Sequence, residues 1–548
     1  MPSLAGLTSL NLARPVHVID VAVASAAVWV LVKLVRTTRR RLKTTQLNGP
    51  PNPSFVFGVG QALNDSGDAG AMYEQWAEEY GLVYKVPAAL GKSRVVLCDP
   101  KAVAHFYARE TFGYVLTPLS KMAIEAIVGR GLLWAQGESH RRQRKALTPA
   151  FSNAAIRKLT SVFFDSAYKA KAAWDTFIES NTDTDGTVIE VQSWMNHISL
   201  DTIGIAGFSH DFGSLDGKHA SVTEVFDSFS TAKPSPLTSL VFIIGPVFPW
   251  LIKLPTLRKR MIARLNKSMG EISEVLLSRT RQEKEANANE TKEEKSIIGL
   301  LIKAEDEGAE LHLSQQEVMA QMKVLLIAGY ETTSVSLTWA LLELAQNQDV
   351  QTQLREEIVT QFPGADPTYD QLGAGLPYLD AVVHEILRLH PPVPEFTRIA
   401  AEDDILPLSE PIRAASGKNV DHISVAKGTL ISINIASLNR STYFWGPDAK
   451  AFKPARWLGE DGITVKAKEI QGHRHLLTFV DGPRTCLGKS FAVAEFKAVL
   501  SVLVRNFAFE MRDGPETKVE MARGLLPRPK IAGEEGCRVP LRVRRVDL

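Results

Sequence analysis

Hydrophobic residues recur about every 3.6 positions along most of the chain, which predicts a mainly α-helical protein. Segments with the alternation and β-branched content of strands are few and short. The best strand candidates are Leu82–Val86, Arg94–Leu97 and Thr429–Ile435. The pattern therefore predicts a mainly α fold with small β-sheets, and no internal repeat is visible in it.

The amino-terminal region departs from this pattern. Residues Val16–Val35 are mostly apolar, about the length that crosses a bilayer, and a cluster of Arg and Lys follows them. By the positive-inside rule, the chain after this cluster stays in the cytosol. We predict an anchor helix at about 16–35, within an amino-terminal segment 1–35. A cleaved signal peptide is the alternative, because Ala24-Ser25-Ala26 resembles a cleavage site, but the apolar run continues past it.

A basic and proline-rich linker, residues 36–53, follows the anchor. It contains Gly49-Pro50-Pro51-Asn52-Pro53, and prolines stiffen a linker because they fix φ. A short rigid neck after an anchor would set the tilt of the remaining domain, 54–548, on the membrane.

One internal segment, Leu237–Leu254, is strongly apolar but contains Pro246 and Pro249, which make it a poor transmembrane helix. Two interpretations remain open: a buried loop between helices, or a surface that dips into the bilayer and receives an apolar substrate. The low-complexity stretch Arg281–Lys295 is predicted to be an exposed loop or a solvated helix end.

Composition and charge narrow the possible functions. The chain has 548 residues and a net charge of +2, so it lacks the basic character of a nucleic-acid-binding protein. Its three cysteines, Cys98, Cys486 and Cys537, are far apart and form no Cys-x-x-Cys pair. A disulfide framework, a zinc site and an iron–sulfur cluster therefore lack ligands, and the count fits a reducing compartment. Four glycosylation sequons would be chance matches in a cytosolic domain, and they lie at Asn64, Asn266, Asn289 and Asn439.

A long helix is predicted from Ser314 to about Asn347, because Ser314-Gln-Gln-Glu317 forms a capping box. Inside it lies Ala328-Gly329-Tyr330-Glu331-Thr332-Thr333, whose glycine and paired threonines are poor helix formers. A threonine hydroxyl can also bond a backbone carbonyl and loosen the turn. A helix weakened at one place suggests a groove for a small ligand, although a helix with a tolerated glycine is the alternative.

Cys486 lies in the run Phe479-Val-Asp-Gly482-Pro483-Arg484-Thr-Cys486-Leu-Gly488, which opens an apolar helical stretch. A helix N-terminus lowers the pKa of a cysteine, and glycines allow the backbone to approach a flat partner closely. The setting suits a thiolate bound to a metal cofactor. A buried free cysteine is the alternative.

This run resembles the haem-binding loop of the cytochrome P-450 superfamily in Phe479, Gly482, Arg484, Cys486 and Gly488. The stretch Ala328–Thr333 resembles the distal helix of the same family. The matching motifs follow the family's order along nearly the whole chain. The resemblance implies a fold in which haem lies between a long distal helix and the helix of the proximal cysteine loop, so that 54–548 would be a haem-thiolate catalytic domain.

The resemblance also implies a role for individual residues. Cys486 would be the axial thiolate of a haem b, Thr332 would hydrogen-bond dioxygen, and Glu331 would help to deliver protons. The further candidates for binding the cofactor are Arg484, Arg398, Arg144, His140, Phe479 and Gly488. The three arginines would hold the haem propionates through their bidentate forks.

The basic run 140–145 departs from the family pattern, because His140 stands where the family has Trp. Histidine can still donate a hydrogen bond, so it remains a candidate partner for a propionate. The same run could instead form a docking face for an acidic redox partner, and the two interpretations are compatible.

Glu385-Ile-Leu-Arg388 places a carboxylate and a guanidinium one helical turn apart. By itself such a pair is uninformative and would often be a weak surface ion pair. In the family, however, this pair joins a later Pro-x-Arg element in a buried network behind the haem. Here Arg456 would complete that network, in a structural role.

The implied function is that of a membrane-bound monooxygenase of the eukaryotic type, resembling fungal enzymes. The resemblance implies as partners O2, a lipophilic substrate and an NADPH–cytochrome P-450 reductase. The lack of a flavin or nicotinamide motif agrees with an external source of electrons. Its implied location is the endoplasmic reticulum membrane, with a single span. A haem-thiolate isomerase or dehydratase that does not use O2, and a non-catalytic haem-binding protein, are the alternatives. Three apolar stretches are predicted to line the substrate pocket: Leu116–Trp134, Leu237–Leu254 and Val393–Phe396.

Overall fold

The structure, a computed structural model, describes residues 18–181, 186–218, 236–286, 297–306, 308–459 and 461–546. Helices dominate this part of the chain, as the sequence predicts. In chain order the α-helices are α1 (Val18–Lys43), α2 (Gly60–Asp65), α3 (Ala69–Tyr80), α4 (Pro100–Ala108), α5 (Pro118–Val128), α6 (Gly137–Leu147), α7 (Asn153–Ser180), α8 (Val191–Phe208), α9 (Pro236–Ile244), α10 (Leu257–Ala286), α11 (Ile297–Glu305), α12 (Gln315–Gln346), α13 (Gln348–Gln361), α14 (Tyr369–Ala374), α15 (Pro377–Leu389), α16 (Ile435–Arg440), α17 (Thr442–Trp445), α18 (Val465–Lys468) and α19 (Lys489–Asn506).

The strands are short and form small sheets. They are β1 (Val83–Pro87), β2 (Ser93–Leu97), β3 (Tyr114–Leu116), β4 (Thr187–Glu190), β5 (Glu395–Ala400), β6 (Asp404–Arg413), β7 (Asn419–Val425), β8 (Leu430–Asn434), β9 (Phe507–Met511), β10 (Val519–Arg523), β11 (Pro527–Ile531) and β12 (Pro540–Arg545). The largest sheet has the order β1-β2-β8-β5-β3, and a smaller one has the order β4-β12-β9. The pairs β6–β7 and β10–β11 are antiparallel hairpins.

The three predicted strands are confirmed as β1, β2 and β8, and they are neighbours in the largest sheet. Their β-branched residues are buried because helices cover the sheet. Val86, Val96 and Ile431, for example, have no exposed surface. The pair β2–β8 is parallel, an arrangement that requires a long connection, and a long stretch of mostly helical chain separates the two strands.

The predicted long helix is confirmed as α12, with its capping box at Ser314 and Glu317. It is unbroken from Gln315 to Gln346. A Cβ on Gly329 would lie 2.6 Å from Ile203 Cγ1 of α8, so this glycine permits a close helix crossing. Helix α12 also has the length and low charge of a membrane span, but 78% of its apolar window is buried inside the protein. It is therefore the central core helix.

An amino-terminal helix is present, and it runs from Val18 to Lys43 rather than ending at Val35. Several of its apolar side chains are exposed, among them Val23 at 63% and Leu31 at 61%. The next residues bind the folded domain: Thr45 N–H donates to Ser424 O at 2.9 Å. Part of the predicted linker is thus held against the domain, and the membrane anchor stays a prediction.

The apolar segment 237–254 is not one helix. Helix α9 ends at Ile244, and a short 3₁₀ turn, Pro249–Lys253, follows the proline-containing break. Trp250 at its surface is 59% exposed, and Leu237 and Leu240 of α9 are also exposed. Of the low-complexity stretch, residues 281–286 continue α10, and residues 287–295 lie outside the described residues.

Candidate functional site

The cysteine loop is held by its own backbone and by α4. Cys486 N–H donates to Phe479 O at 2.9 Å, and this bond closes the loop. Gly482 has a φ of +66°, and a Cβ there would collide with the carbonyl oxygen of Tyr107 in α4. Gly488 caps α19, and the nearest atom to its missing Cβ is a Phe151 ring carbon at 3.8 Å. Gly482 is thus required by the loop's packing, whereas the surroundings of Gly488 are open.

Cys486 is exposed, whereas Cys98 and Cys537 are buried. Nevertheless the atoms around its thiol remove enough water to raise its pKa, against the opposing effects of Gly488 N–H, Arg144 and Lys489. The prediction that a helix N-terminus lowers this pKa is therefore wrong in sign. The reason is that neighbouring atoms shield the thiol from water although the residue as a whole is exposed, and that α19 starts only at Lys489, beyond the cysteine. A bound metal cation would deprotonate the thiol outright.

Two of the predicted propionate-binding arginines meet at a carboxylate that sequence analysis missed. Glu110, at the end of α4, is buried and accepts a hydrogen bond from Arg398 Nε at 2.8 Å. The same Glu110 oxygen lies 3.7 Å from Arg484 Nε, and Arg484 Nη2 donates to Ala135 O. Arg484 Nε is buried and has no hydrogen-bond partner among the described residues.

The third arginine, Arg144, lies in α6 beside Cys486 and Arg484. Its half-buried guanidinium donates no hydrogen bond to any residue that the structure describes, and burial lowers its pKa. His140, one turn earlier, is 3% exposed. Burial, then Arg484 and Arg144, lower the pKa of His140 to about 3, so its imidazole is neutral and can donate one hydrogen bond.

This donor set fits a haem with two propionates. Arg398 and Arg484 lie at the Glu110 carboxylate, and Arg144 lies beside Arg484, so three guanidinium groups share one carboxylate and leave an excess of two positive charges. Two carboxylate groups would neutralise that excess and would supply the missing partner of Arg484 Nε. The cysteine loop, the open surroundings of Gly488 and the arginine cluster therefore suit one anionic cofactor with a thiolate-bound metal.

Thr332 and Glu331 are neighbours in α12, but they have different surroundings. Thr332 is half-buried, and its hydroxyl donates to Ala328 O at 2.7 Å, the back-bonding that its residue type favours. Glu331 is 2% exposed and forms an ion pair with Arg528 of β11. Sequence analysis missed this arginine, because the two residues are far apart in the chain and belong to no common motif.

The network at Glu385 contains the predicted third member. Both oxygens of the buried Glu385 carboxylate accept from Arg388, at 2.8 Å each, and Arg456 Nε approaches one of them at 3.5 Å. Arg388 Nη1 also donates to the Asn439 carbonyl at 2.8 Å. The Asn439 side chain binds Thr478, next to Phe479. The predicted contact of Arg456 is confirmed, and Asn439, singled out only as a sequon, is a fully buried link to the cysteine loop.

Another buried group that sequence analysis missed is Glu495 of α19. Its carboxyl has no exposed surface and lies beside the hydroxyls of Thr333 and Thr202 without a well-formed hydrogen bond. Burial raises its pKa well above the usual range, which favours the neutral carboxylic acid. In the sequence it looks like an ordinary helix-surface glutamate.

Mild acid is expected to destabilise the fold through the buried His140 and the half-buried His473. Burial, then His384, Lys489 and Arg474, lower the pKa of His473 to about 3, and burial lowers that of His140 to about 3 as well. Their pKa in the unfolded chain is about 6.5, so below that pH the unfolded state binds more protons than the native state. Stability is thus complete above about pH 6.5 and falls on acidification towards pH 3, by at most about 1.4 kcal/mol per pH unit for each histidine.

Chemical denaturation of the holoprotein between pH 7.5 and 5 measures this slope. The variant His473→Gln keeps a partner for His384 Nε2, which lies 3.2 Å from His473 Nε2, and should flatten the slope. His422→Gln, at an exposed site, is the matched control and should not change it. An unchanged slope in His473→Gln would contradict the prediction.

The buried helix α12, the small sheets and a cysteine loop directly ahead of the last long helix together match the haem-thiolate class of proteins. The cytochrome P-450 family model matches residues 48–532, and the chain belongs to this family. Members bind a haem iron through a cysteine thiolate, and as oxygenases they require O2, a substrate and a redox partner.

The relatives are fungal and span more than nine tenths of the chain. The cytochrome P-450 monooxygenase claP of Ampulloclitocybe clavipes is 59% identical over 531 residues, which cover 96% of this chain and 98% of the relative. The monooxygenase claQ of the same organism is 59% identical over 536 residues, covering 97% and 99%. The monooxygenase 128 of Postia placenta is 35% identical over 516 residues, covering 91% and 92%. This chain is accordingly a monooxygenase of the cytochrome P-450 family.

Proposed function

We propose that this chain inserts one oxygen atom from O2 into a lipophilic small molecule, using electrons that an NADPH–cytochrome P-450 reductase delivers. The observation that carries the proposal is the cluster around Cys486. Three positive charges, those of Arg144, Arg398 and Arg484, stand against the one negative charge of Glu110. They lie near Cys486, the one exposed cysteine. We assign this cluster to the haem and Cys486 to its iron.

Each residue then has a defined task. Arg144, Arg398 and Arg484 bind the propionates, and neutral His140 adds a hydrogen bond. Phe479 and Gly488 shape the loop around Cys486, since Phe479 O accepts from Cys486 N–H and Gly488 leaves the cofactor side of the turn open. When bound, haem supplies the activation of O2, which the electron-rich thiolate favours.

The protein's own contribution to the reaction is the control of protons and water. Thr332 presents a hydroxyl whose proton is directed to the Ala328 carbonyl, so its oxygen can accept a hydrogen bond from an arriving proton donor. Glu331 supplies a carboxylate next to it, within a buried helix that excludes bulk water.

The membrane part of the proposal comprises an anchor within 1–35, a linker at 36–53 and a cytosolic catalytic domain at 54–548, with a single span in the endoplasmic reticulum membrane. Four exposed apolar side chains support it, because lipid would cover them: Val23 and Leu31 of α1, Leu237 of α9, and Trp250. The full chain should stay in microsomes during alkaline carbonate extraction. Release into the soluble fraction would contradict the anchor.

The basic run of α6 supports both interpretations made from the sequence. His140 and Arg144 face inwards, whereas Arg141 is 78% exposed and Lys145 is 64% exposed. The two outward cations lie on the helix that carries Arg144, and a reductase with an acidic surface suits them.

The substrate class rests on the apolar stretches that we assign to the pocket. Residues 116–134, 237–254 and 393–396 are rich in Leu, Ile, Val, Phe and Pro, and a pocket of this composition favours a lipophilic ligand. We expect such a molecule to enter the pocket from the membrane, near α9.

The test combines the purified full chain with the reductase and a library of lipophilic compounds. We expect NADPH-dependent consumption of O2 and products that are heavier by one oxygen atom. Turnover without NADPH and O2 would instead identify an isomerase or dehydratase. Haem binding with reduction of the iron but no product from any compound would identify a non-catalytic haem protein.

Substituting Thr332 with Ala is expected to leave haem binding intact but to divert electrons to hydrogen peroxide. Loss of one positioned hydroxyl for proton transfer should lower the product formed per NADPH by about 10-fold or more. Thr338→Ala is a matched control, because Thr338 makes the same bond to its own i−4 carbonyl, Ser334 O, at 2.8 Å. Equal coupling in the Thr332 variant and the wild type, measured as product and peroxide per NADPH, would remove Thr332 from the mechanism.

A further inference from the structure

The carboxylate of Glu331 is not free within its helix. Arg528 Nε donates to Glu331 Oε1 at 3.1 Å, and Arg528 Nη2 donates to Glu331 Oε2. The backbone N–H of Leu526 donates to the same Oε1 at 3.2 Å. Both carboxylate oxygens are therefore occupied, and all of their partners belong to the β10–β11 hairpin or its turn.

Arg528 is equally committed. Its side chain is 2% exposed, and its third nitrogen, Nη1, donates to Asn196 Oδ1 of α8 at 3.1 Å. Asn196 is in turn held by Gln192, one helical turn earlier. Prolines on both sides, Pro527 and Pro529, fix the backbone of β11 around it. The guanidinium is thus held by groups other than Glu331 as well.

The buried pair acts on the pKa of Arg528. Burial by itself lowers the pKa of Arg528, but Glu331 and Tyr330 outweigh it and the net direction is upward. The other titratable groups near the pair are Cys537, which faces Arg528, and Glu495 of α19, which lies against Thr333. Neither provides a cation, so Arg528 is the group that balances the charge of Glu331 in the described residues around it.

We propose that Arg528 is a positioning residue that holds Glu331 as a fixed carboxylate, and thereby sets the pH range in which the enzyme couples NADPH use to product. The inference rests on the proposed function of Glu331 in proton delivery. The inference goes beyond that function by assigning control of Glu331 to the β10–β11 hairpin. A carboxylate that is buried without its cation takes up a proton at higher pH. Without Arg528, Glu331 would therefore be a carboxylic acid, rather than a carboxylate, over a wider pH range.

The test measures the protonation of Glu331 directly, by infrared absorption of the carboxylic acid C=O group. Spectra of each variant, with Glu331→Gln as the subtraction reference, are recorded on the full chain across pH 5 to 9. We expect no Glu331 carboxylic acid band at pH 7 in the wild type and a clear band in Arg528→Met. In Arg528→Met, the pH midpoint of the band should move up by at least one unit, a tenfold change in the ionisation equilibrium. In Arg528→Lys, the midpoint should return most of the way to the wild-type value but stay above it.

Lys530→Met is the matched control, because Lys530 lies two positions along the same strand and pairs with Glu520 rather than Glu331. It should leave the band and its midpoint unchanged. A folded Arg528→Met protein whose Glu331 remains a carboxylate at pH 7 would overturn the proposal. If Arg528→Met does not fold, Arg528→Lys decides, since its midpoint must still lie above that of the wild type.

The pH profile of product formed per NADPH provides the second measurement. It should shift upwards with the infrared midpoint in Arg528→Met and stay at the wild-type position in Lys530→Met. If the wild type showed no NADPH-dependent oxygenation, the proposed function would fail, while the infrared midpoints would still decide whether Arg528 controls Glu331. A shifted infrared midpoint with an unshifted coupling profile would overturn the functional half of the inference.

Discussion

Replacing Cys486 with serine is expected to abolish the absorbance band that reduced haem-thiolate proteins show with carbon monoxide, together with all oxygenase activity. The thiolate is the form of cysteine that binds metal, and a serine hydroxyl does not ionise near neutral pH. The residue has no substitute nearby, because the other cysteines, Cys98 and Cys537, are buried elsewhere in the fold. Haem content and the reduced carbon monoxide spectrum of the purified variant measure the effect.

The chain offers two matched controls for this experiment. Cys98→Ala and Cys537→Ala each remove a sulfur from the protein and should retain the thiolate band, since neither residue lies in the loop closed by the Cys486–Phe479 hydrogen bond. Cys486→Ala, which provides no ligand at all, should behave as Cys486→Ser does. A thiolate band that survived in both Cys486 variants would place the ligand at another cysteine.

The parts of the fold that sequence analysis predicted depend on local signals. The capping box at Ser314 and the apolar periodicity after it predicted α12, and β-branched runs predicted β1, β2 and β8. These signals act within a few residues, so a single sequence contains them. The direction of the Cys486 pKa could not be predicted in this way, because it depends on how many atoms of other segments surround the thiol.

The partners of the candidate site residues were beyond prediction for the same reason. Glu110 meets Arg398 across 288 residues, and Glu331 meets Arg528 across 197 residues. Neither Glu110 nor Arg528 belongs to a spaced motif, and a lone glutamate or arginine is most often a solvated surface residue. Only packing of distant elements reveals that these charges are buried, and a buried charge requires a partner.

Substituting Glu385 with Gln should cause a large loss of stability. The Glu385 carboxylate has no exposed surface, and it accepts from Arg388 twice and from the Trp457 indole at 2.9 Å. Glutamine removes the charge and leaves the Arg388 guanidinium buried without its counter-ion. Breaking a buried pair from one side costs about 3 to 5 kcal/mol, a large part of the roughly 5 to 15 kcal/mol that stabilises a typical domain.

The damage should extend to haem retention, because the network continues from Arg388 through Asn439 to Thr478 at the start of the cysteine loop. Chemical denaturation gives the loss of unfolding free energy, and the rate of haem transfer to apomyoglobin gives the loosening of the loop. Glu402→Gln is the control, since Glu402 pairs with Arg109 at the exposed surface and such pairs contribute at most about 1 kcal/mol. A Glu385→Gln protein that is as stable as the control would mean that Asn439 and the loop hold the proximal side without this ion pair.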